Sequence, residues 1–249
     1  MGRNIMMHLV RLLVGIALVN LLPMVLAKDL PESKQLVVVS ATSWDSTTGT
    51  LKMLSKSDSQ WTSRGRQVPV VLGKGLAWGL GLHEKVLSGP QKKEGDGRTP
   101  AGIFSLGPAF GYTDTPPKGC RLEYRKITPR DYFVDDPAAA EYNQWVTLSW
   151  GINPKLKWHS AEKMMRPDNL YELGIVIHHN MSPTVKGAGS AIFFHIWRNS
   201  HASTSGCTAM SKKDLIDLMT WLEPDKNPIV VESPEAELPR LLDQIGNRN

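Results

Sequence analysis

The 249-residue chain has only two cysteines, Cys120 and Cys207, which excludes a disulfide-dense scaffold. A chain of this length completes a core without such staples. Charge of one sign is not massed anywhere: 29 Lys and Arg face 24 Asp and Glu, for a formal charge of +5. No Lys/Arg cluster with interleaved aromatics is present, so nucleic acid is not an expected partner. His178 and His179 lack a second compact pair of His, Cys or acids at metal-ligand spacing, so a structural zinc site is not expected. Internal repeats are absent. Long apolar runs are limited to one, the uncharged stretch of 16 residues from Leu12 to Ala27, broken by Pro23. A membrane-spanning helix needs roughly 20 apolar residues, so this run falls short.

That run has another reading. Arg3 and Arg11 precede it, and the small residues Val25 and Ala27 stand before the polar Lys28-Asp29. A charged start, an apolar centre and a small-residue cleavage site are the pattern of a secretory signal peptide, residues 1–27, with an uncleaved anchor as the alternative. Without Arg3 and Arg11 the formal charge falls from +5 to +3. A mildly basic exported protein is attracted to an acidic polymer, and stable membrane insertion is not expected after cleavage.

What remains, residues 28–249, reads as one domain. Hydrophobic residues at 41% and charged residues at 21% exclude extended disorder, and eight Trp with seventeen Pro suit a sheet-rich fold with stiff loops. Gln35 to Val39, Leu51 to Leu54, Val68 to Leu72 and Ile103 to Leu106 read as strands. A polar, proline-rich insertion follows near 108–143; a loop of that length is often functional. Within it, Asp135-Asp136 and Tyr142-Asn143 suggest a lid or a solvated loop. Two further strands, Gly174 to His179 and Ala191 to Trp197, precede a helix that Ser211 caps and that buries Leu215, Ile216, Met219 and Leu222. Ile229-Val230-Val231 is a last strand, and Glu235 to Ile245 a terminal helix interrupted by Pro239. The expected class is mostly β with flanking helices.

Period-two alternation puts Phe193, His195 and Trp197 on one face of their strand, opposite Ile192, Phe194 and Ile196. His195 lies 12 residues before Cys207, a connection long enough to return and bring the two side chains together. A base beside a thiol activates it as a nucleophile by forming a thiolate–imidazolium pair. Gly206 permits close backbone approach to a substrate carbonyl, and amides at Gly206, Cys207 or Thr208 are candidate oxyanion donors. Each residue alone also has a plainer account: His195 as a satisfied core group, Cys207 as half of a disulfide with Cys120 in an oxidising compartment.

Gly95-Asp96-Gly97-Arg98-Thr99-Pro100-Ala101-Gly102-Ile103-Phe104, followed downstream by His195 and Ser205-Gly206-Cys207, resembles the L,D-transpeptidase catalytic domain, the YkuD-like family. The likeness spans roughly Leu36 to Val231. It implies a β-sandwich-like catalytic domain, a periplasmic or cell-envelope location, and peptidoglycan stem peptides as partners. It also implies a thioester acyl-enzyme on Cys207, with His195 as base and no cofactor. An L,D-carboxypeptidase trimming the same stems, or a non-catalytic wall-binding protein, are the alternatives. The sequence departs from the family's pattern where Ser205 replaces the usual His before Gly-Cys and where Ala209 replaces an Arg or Asn, and in a shorter His-to-Cys interval. Ser205 and Gly206 are therefore candidates for substrate contact. Arg198 is a candidate to hold a substrate carboxylate, and His201 a candidate substitute for the missing His.

Overall fold

A computed structural model describes residues 32–58 and 60–246. The expected signal segment, 1–27, lies outside the described residues. In chain order the strands are β1 (Gln35–Ala41), β2 (Thr48–Ser57), β3 (Gln60–Val71), β4 (Leu76–Trp78), β5 (Thr99–Gly111), β6 (Tyr124–Lys126), β7 (Asp131–Phe133), β8 (Trp145–Thr147), β9 (Glu162–Lys163), β10 (Leu173–Ile177), β11 (Phe193–Ile196), β12 (Thr208–Met210) and β13 (Ile229–Pro234). Among the described residues two α-helices, α1 (Lys212–Trp221) and α2 (Leu238–Gly246), complete the fold, which is mostly β.

The pairing order β10-β11-β12-β3-β2-β1-β13-β5 closes on itself through β5 against β10, giving a barrel-like ring. The ring is thinnest where β12 meets β3, joined by the single pair Ala209 with Val71. β4 and β6 attach to the two ends of the long β5. The strand β1 is buried on both faces, which its run Leu36-Val37-Val38-Val39 allows, and it joins β2 antiparallel and β13 parallel. Leu215, Leu218, Met219 and Trp221 of α1 enter the same core, and Ile216 is only half-buried. Ser211 caps α1 by accepting the Asp214 amide. Gln35, fully buried, closes the other end by donating to the Trp221 carbonyl at 2.7 Å. Pro239 does not interrupt α2; it is the second residue of that helix, in the first turn, where no amide hydrogen is needed.

Segment 108–143 contains the end of β5, then β6 and β7, and β7 pairs with β8 and β9 as a separate three-stranded sheet. The buried Asp131 staples it, accepting from the Thr128 amide and hydroxyl at 2.7 and 2.6 Å, from the Trp145 indole at 2.9 Å and from the Thr147 hydroxyl. Burial pulls the Asp131 carboxyl up, but the bonds from Thr128, Thr147 and Trp145 outweigh it and hold the group below its usual range.

This small sheet roofs one face of β11. Phe194 points into the barrel core, whereas Phe193 packs outward among Phe110, Phe133 and Tyr171 with ring centroids 5.4, 5.1 and 5.5 Å away. Each such edge-to-face pair adds about 0.5–1.5 kcal/mol beyond area burial. The expected alternation of β11 is therefore realised, with the site on the roofed face.

Candidate active site

β11 and β12 run parallel, with Phe194 level with Thr208 and His195 level with Ala209. Cys207 is therefore level with Phe193 and shares the roofed face with His195. Strands about 4.8 Å apart with a rise of about 3.3 Å per residue put the two Cα atoms roughly 8 Å apart on the diagonal, within reach of the two side chains. Both line one cavity of about 430 Å³. The two sequence-predicted residues thus share one sheet face and one cavity, each hydrogen-bonded to a backbone carbonyl rather than to the other.

The imidazole Nδ1 donates to the Ile196 carbonyl at 2.8 Å, which leaves Nε2 as the unprotonated nitrogen. The Tyr171 ring stands edge-on to the imidazole at 5.2 Å. The thiol donates to the Ala191 carbonyl at 3.4 Å. Burial pulls His195 down to about 4 and pushes Cys207 up to about 12, the Glu162 charge adding to the latter. The resting pair is consequently neutral thiol and neutral imidazole, not the preformed ion pair read from the sequence. Opposing that trend, the Phe193 amide is directed at the sulfur and favours its thiolate.

The loop before Cys207 is tightly fixed. The Thr204 hydroxyl donates to the Cys207 carbonyl at 2.6 Å and accepts the Gly206 amide at 3.1 Å. Gly206 has φ +138°, and a Cβ there would stand 3.1 Å from the Arg98 carbonyl oxygen. Gly206 does not itself line the cavity, and its amide is engaged by Thr204. Ser205 is exposed and does line it.

Arg198 stands at the rim with its side chain 66% exposed and one 3.5 Å contact to Asp168. Sequence reasoning missed its neighbour Arg166. That guanidinium grips Asp168 through two bonds at 2.9 and 2.8 Å, pairs with Glu162 at 2.7 Å and lies over the Tyr171 ring at 5.1 Å. Arg166 is committed to these partners, so Arg198 is the freer cation for a ligand carboxylate. Lys74, Lys92, Glu94, Asp135 and Glu162 also line the cavity. Burial raises the Asp135 and Glu162 carboxyls above their ordinary range.

Tyr142 and Asn143 are neither a lid nor a solvated loop; both are 2% exposed. The Asn143 side chain donates to the carbonyls of His179 and Asn180 at 3.0 and 2.8 Å and accepts the Ala191 amide at 3.2 Å. It thereby holds Ala191 at φ +55°, a strained value for a residue with a Cβ, under the thiol. Tyr142 donates to Glu94, which also accepts from Ser190. Asp136 is likewise buried, and it accepts the Ala138 and His159 amides at 2.9 and 2.8 Å.

His178 meets Ser105 at 3.1 Å, and buried His179 accepts the Leu80 amide while donating to the Ala188 carbonyl. His201 is exposed, on the loop beyond β11, and does not line the cavity. Among the described residues no three His, Cys, Asp or Glu side chains converge as a metal-binding group. Both cysteines are free, so the Cys120–Cys207 disulfide is excluded; Cys120 packs, half-buried, against the main core.

No curated protein matches the chain. Among solved structures it is similar to Bd1075 of Bdellovibrio bacteriovorus at 12% identity and a TM-score of 0.41, covering 86% of this chain and 55% of that one. It is similar also to the helical cell shape determining protein Pgp2 of Campylobacter jejuni, at 14% identity and a TM-score of 0.38, covering 81% of this chain and 48% of that one. The chain spans about half the length of these structures. Residues 40–231, most of the chain and all of the strands that build the cavity, match the L,D-transpeptidase catalytic domain, and the chain belongs to that YkuD family.

Proposed function

We propose that the chain is an exported, cysteine-dependent L,D-transpeptidase that acts on peptidoglycan stem peptides through a thioester acyl-enzyme. Family membership supports a cell-wall role. The observation that carries the chemistry is the shared face of Cys207 and His195 in one cavity, with the imidazole Nε2 unprotonated.

In this reading the Cys207 sulfur attacks the carbonyl that joins an L-centre to a terminal D-residue. The S–C bond forms as the thiol proton passes to His195 Nε2. The tetrahedral intermediate then expels the D-residue amine, which takes the proton back from the imidazolium. Arg198 holds the carboxylate of the leaving residue at the rim. In the second half an amine from another stem attacks the thioester, the C–S bond breaks, and His195 carries the amine proton to the departing sulfur. Because Gly206 has given its amide to Thr204, it is not an oxyanion donor in this conformation. The cellular place is the periplasm or cell envelope, reached through the N-terminal signal.

The test is intact-mass analysis after exposure to a carbapenem, whose strained carbonyl traps an activated thiol as a stable acyl-enzyme. One adduct is expected, absent in Cys207→Ala and slow in His195→Ala. An adduct that persists in Cys207→Ala would refute the assignment. With stem tetrapeptide and an amine acceptor, a crosslinked product is expected; trimmed peptide alone would identify a carboxypeptidase instead.

A further inference from the structure

Six large apolar side chains are exposed among the described residues, and three of them fall in the connection between β8 and β9: Trp150 at 83%, Ile152 at 51% and Leu156 at 87%. Single exposed apolar residues are ordinary, but a cluster on one short segment marks an interaction surface. This segment is braced. Buried Trp158 anchors its base against Val134 and Leu148, and Leu156 closes a 3-10 turn, Pro154–Leu156, capped by the Asn153 side chain. The apolar groups are thus held outward on a built tip.

Its charge is one-sided. No acid occurs from Tyr142 to Ala161, while Lys155 and Lys157 flank Leu156. Arg130 stacks on Trp150 at 4.8 Å. Lys157 is offset by Glu141 at 2.8 Å, but among the described residues Lys155 and Arg130 pair with no carboxylate. A sugar platform would set its aromatic ring among acids and amides that bond hydroxyls. Here Arg130 lies over the ring, and exposed Ile152 and Leu156 with Lys155 follow on the same short segment, the combination that suits the boundary of an anionic bilayer, where Trp sits at headgroup level and Lys or Arg meets phosphate.

We propose that segment 148–161 is a lipid-facing tip that seats this protein on an anionic membrane surface without spanning it. No helix among the described residues is long and apolar enough to cross a membrane. The tip grows from the small sheet that also carries Glu162 into the cavity wall, so seating it fixes the direction in which the Cys207 cavity opens. The inference stands independently of the acyl-transfer reading.

The test uses the full chain with vesicles carrying brominated acyl chains, which quench only tryptophans in contact with lipid. All eight Trp lie at or beyond Trp44, so the apolar amino-terminal run contributes none. Quenching is expected with phosphatidylglycerol-containing vesicles, lost in Trp150→Phe, and shifted roughly fivefold to higher lipid in Lys155→Gln. Leu156→Ser is expected to weaken it about tenfold. The Cys207→Ala chain is expected to quench like the unaltered one, separating the tip from the chemistry. Quenching that survives Trp150→Phe, or that is equal with pure phosphatidylcholine, would overturn the proposal. Protection of Trp150 from aqueous iodide by isolated glycan strands would overturn it in favour of a sugar platform.

Discussion

Glu232 sits on β13 with no exposed surface, one carboxylate oxygen accepting from Thr208 at 2.5 Å and the other without a partner among the described residues. Burial pushes its carboxyl up to about 8, the Thr208 hydroxyl drawing it back only in part. The folded chain therefore keeps a proton that the unfolded chain releases from about pH 4.5 upward. A raised folded value for an acid means stability is greatest below the unfolded value, declines as pH rises, and levels off above about 8. At 1.36 kcal/mol per pKa unit the ceiling is roughly 5 kcal/mol, and relaxation around the charge makes about half of that the working expectation. Glu232→Gln keeps the shape, keeps a polar group for Thr208 and removes the titration.

Three buried histidines act in the opposite sense. Burial draws His83 to about 4, His179 to about 3 and His195 to about 4. Each is neutral in the fold, so the stability it contributes is present above about 6.5 and is lost as pH falls toward those values. Both proteins carry these histidines, so their effect cancels in the difference between Glu232→Gln and the unaltered chain. Urea unfolding, followed by tryptophan emission from about pH 5 to about pH 9, should show the variant gaining roughly 2–3 kcal/mol relative to the parent across that range. Parallel stability profiles would refute the reasoning, because they would mean Glu232 titrates alike in both states.

Three further outcomes follow from the cavity. With His195 at about 4 and Cys207 at about 12, carbapenem acylation should be nearly flat from about pH 6 to about pH 8, and His195→Ala should slow it by about 10²–10⁴; a tenfold rise per pH unit would show that a pre-ionised thiolate is the reacting species. Arg198→Ala should raise KM for a stem peptide about tenfold with kcat unchanged, measured against an amidated peptide for which the two proteins behave alike. Asn143→Ala should lower stability by about 2–4 kcal/mol in urea titration, because it strips partners from the amide of Ala191 and from two buried carbonyls.

The sequence disclosed what depends on local periodicity. Alternation along residues 191–197 put His195 on the face opposite Phe194, and the chain does divide there between barrel core and site. The Ser211 cap and the apolar spacing after it located α1, although Leu218 replaces Ile216 as the deeply buried position. Contacts between distant residues leave no such trace. Asn143 reaches Ala191 from 48 positions away, and nothing in Tyr142-Asn143 distinguishes a buried clamp from a solvated loop. Arg166 escaped notice for a different reason: Glu162, Asp168 and Tyr171 are close to it in sequence but follow no helix or strand period, and only the folded turn gathers them around the guanidinium. Pro239 was misjudged by position: the same residue that breaks a helix interior is harmless in a first turn.

In the proposed acyl transfer, the neutral resting pair is also what gives the site its leverage. Groups that favour the charged forms are in place beside ones that oppose them: the Ile196 carbonyl and the Asp168 charge raise His195 while the Arg166 charge lowers it, and the Phe193 amide favours the Cys207 thiolate while the Glu162 and Glu232 charges oppose it. At rest burial outweighs them, so no charge is carried in the cavity by nucleophile or base. In the proposed mechanism charge develops on the imidazole only as sulfur commits to a carbonyl, and at that moment the favourable dipoles act without reorganising. An interaction that counts only in the transition state lowers the barrier, whereas one already used in the ground state does not. The burial that makes Cys207 inert toward solvent is therefore compatible with a reactive thiol toward a bound acyl donor.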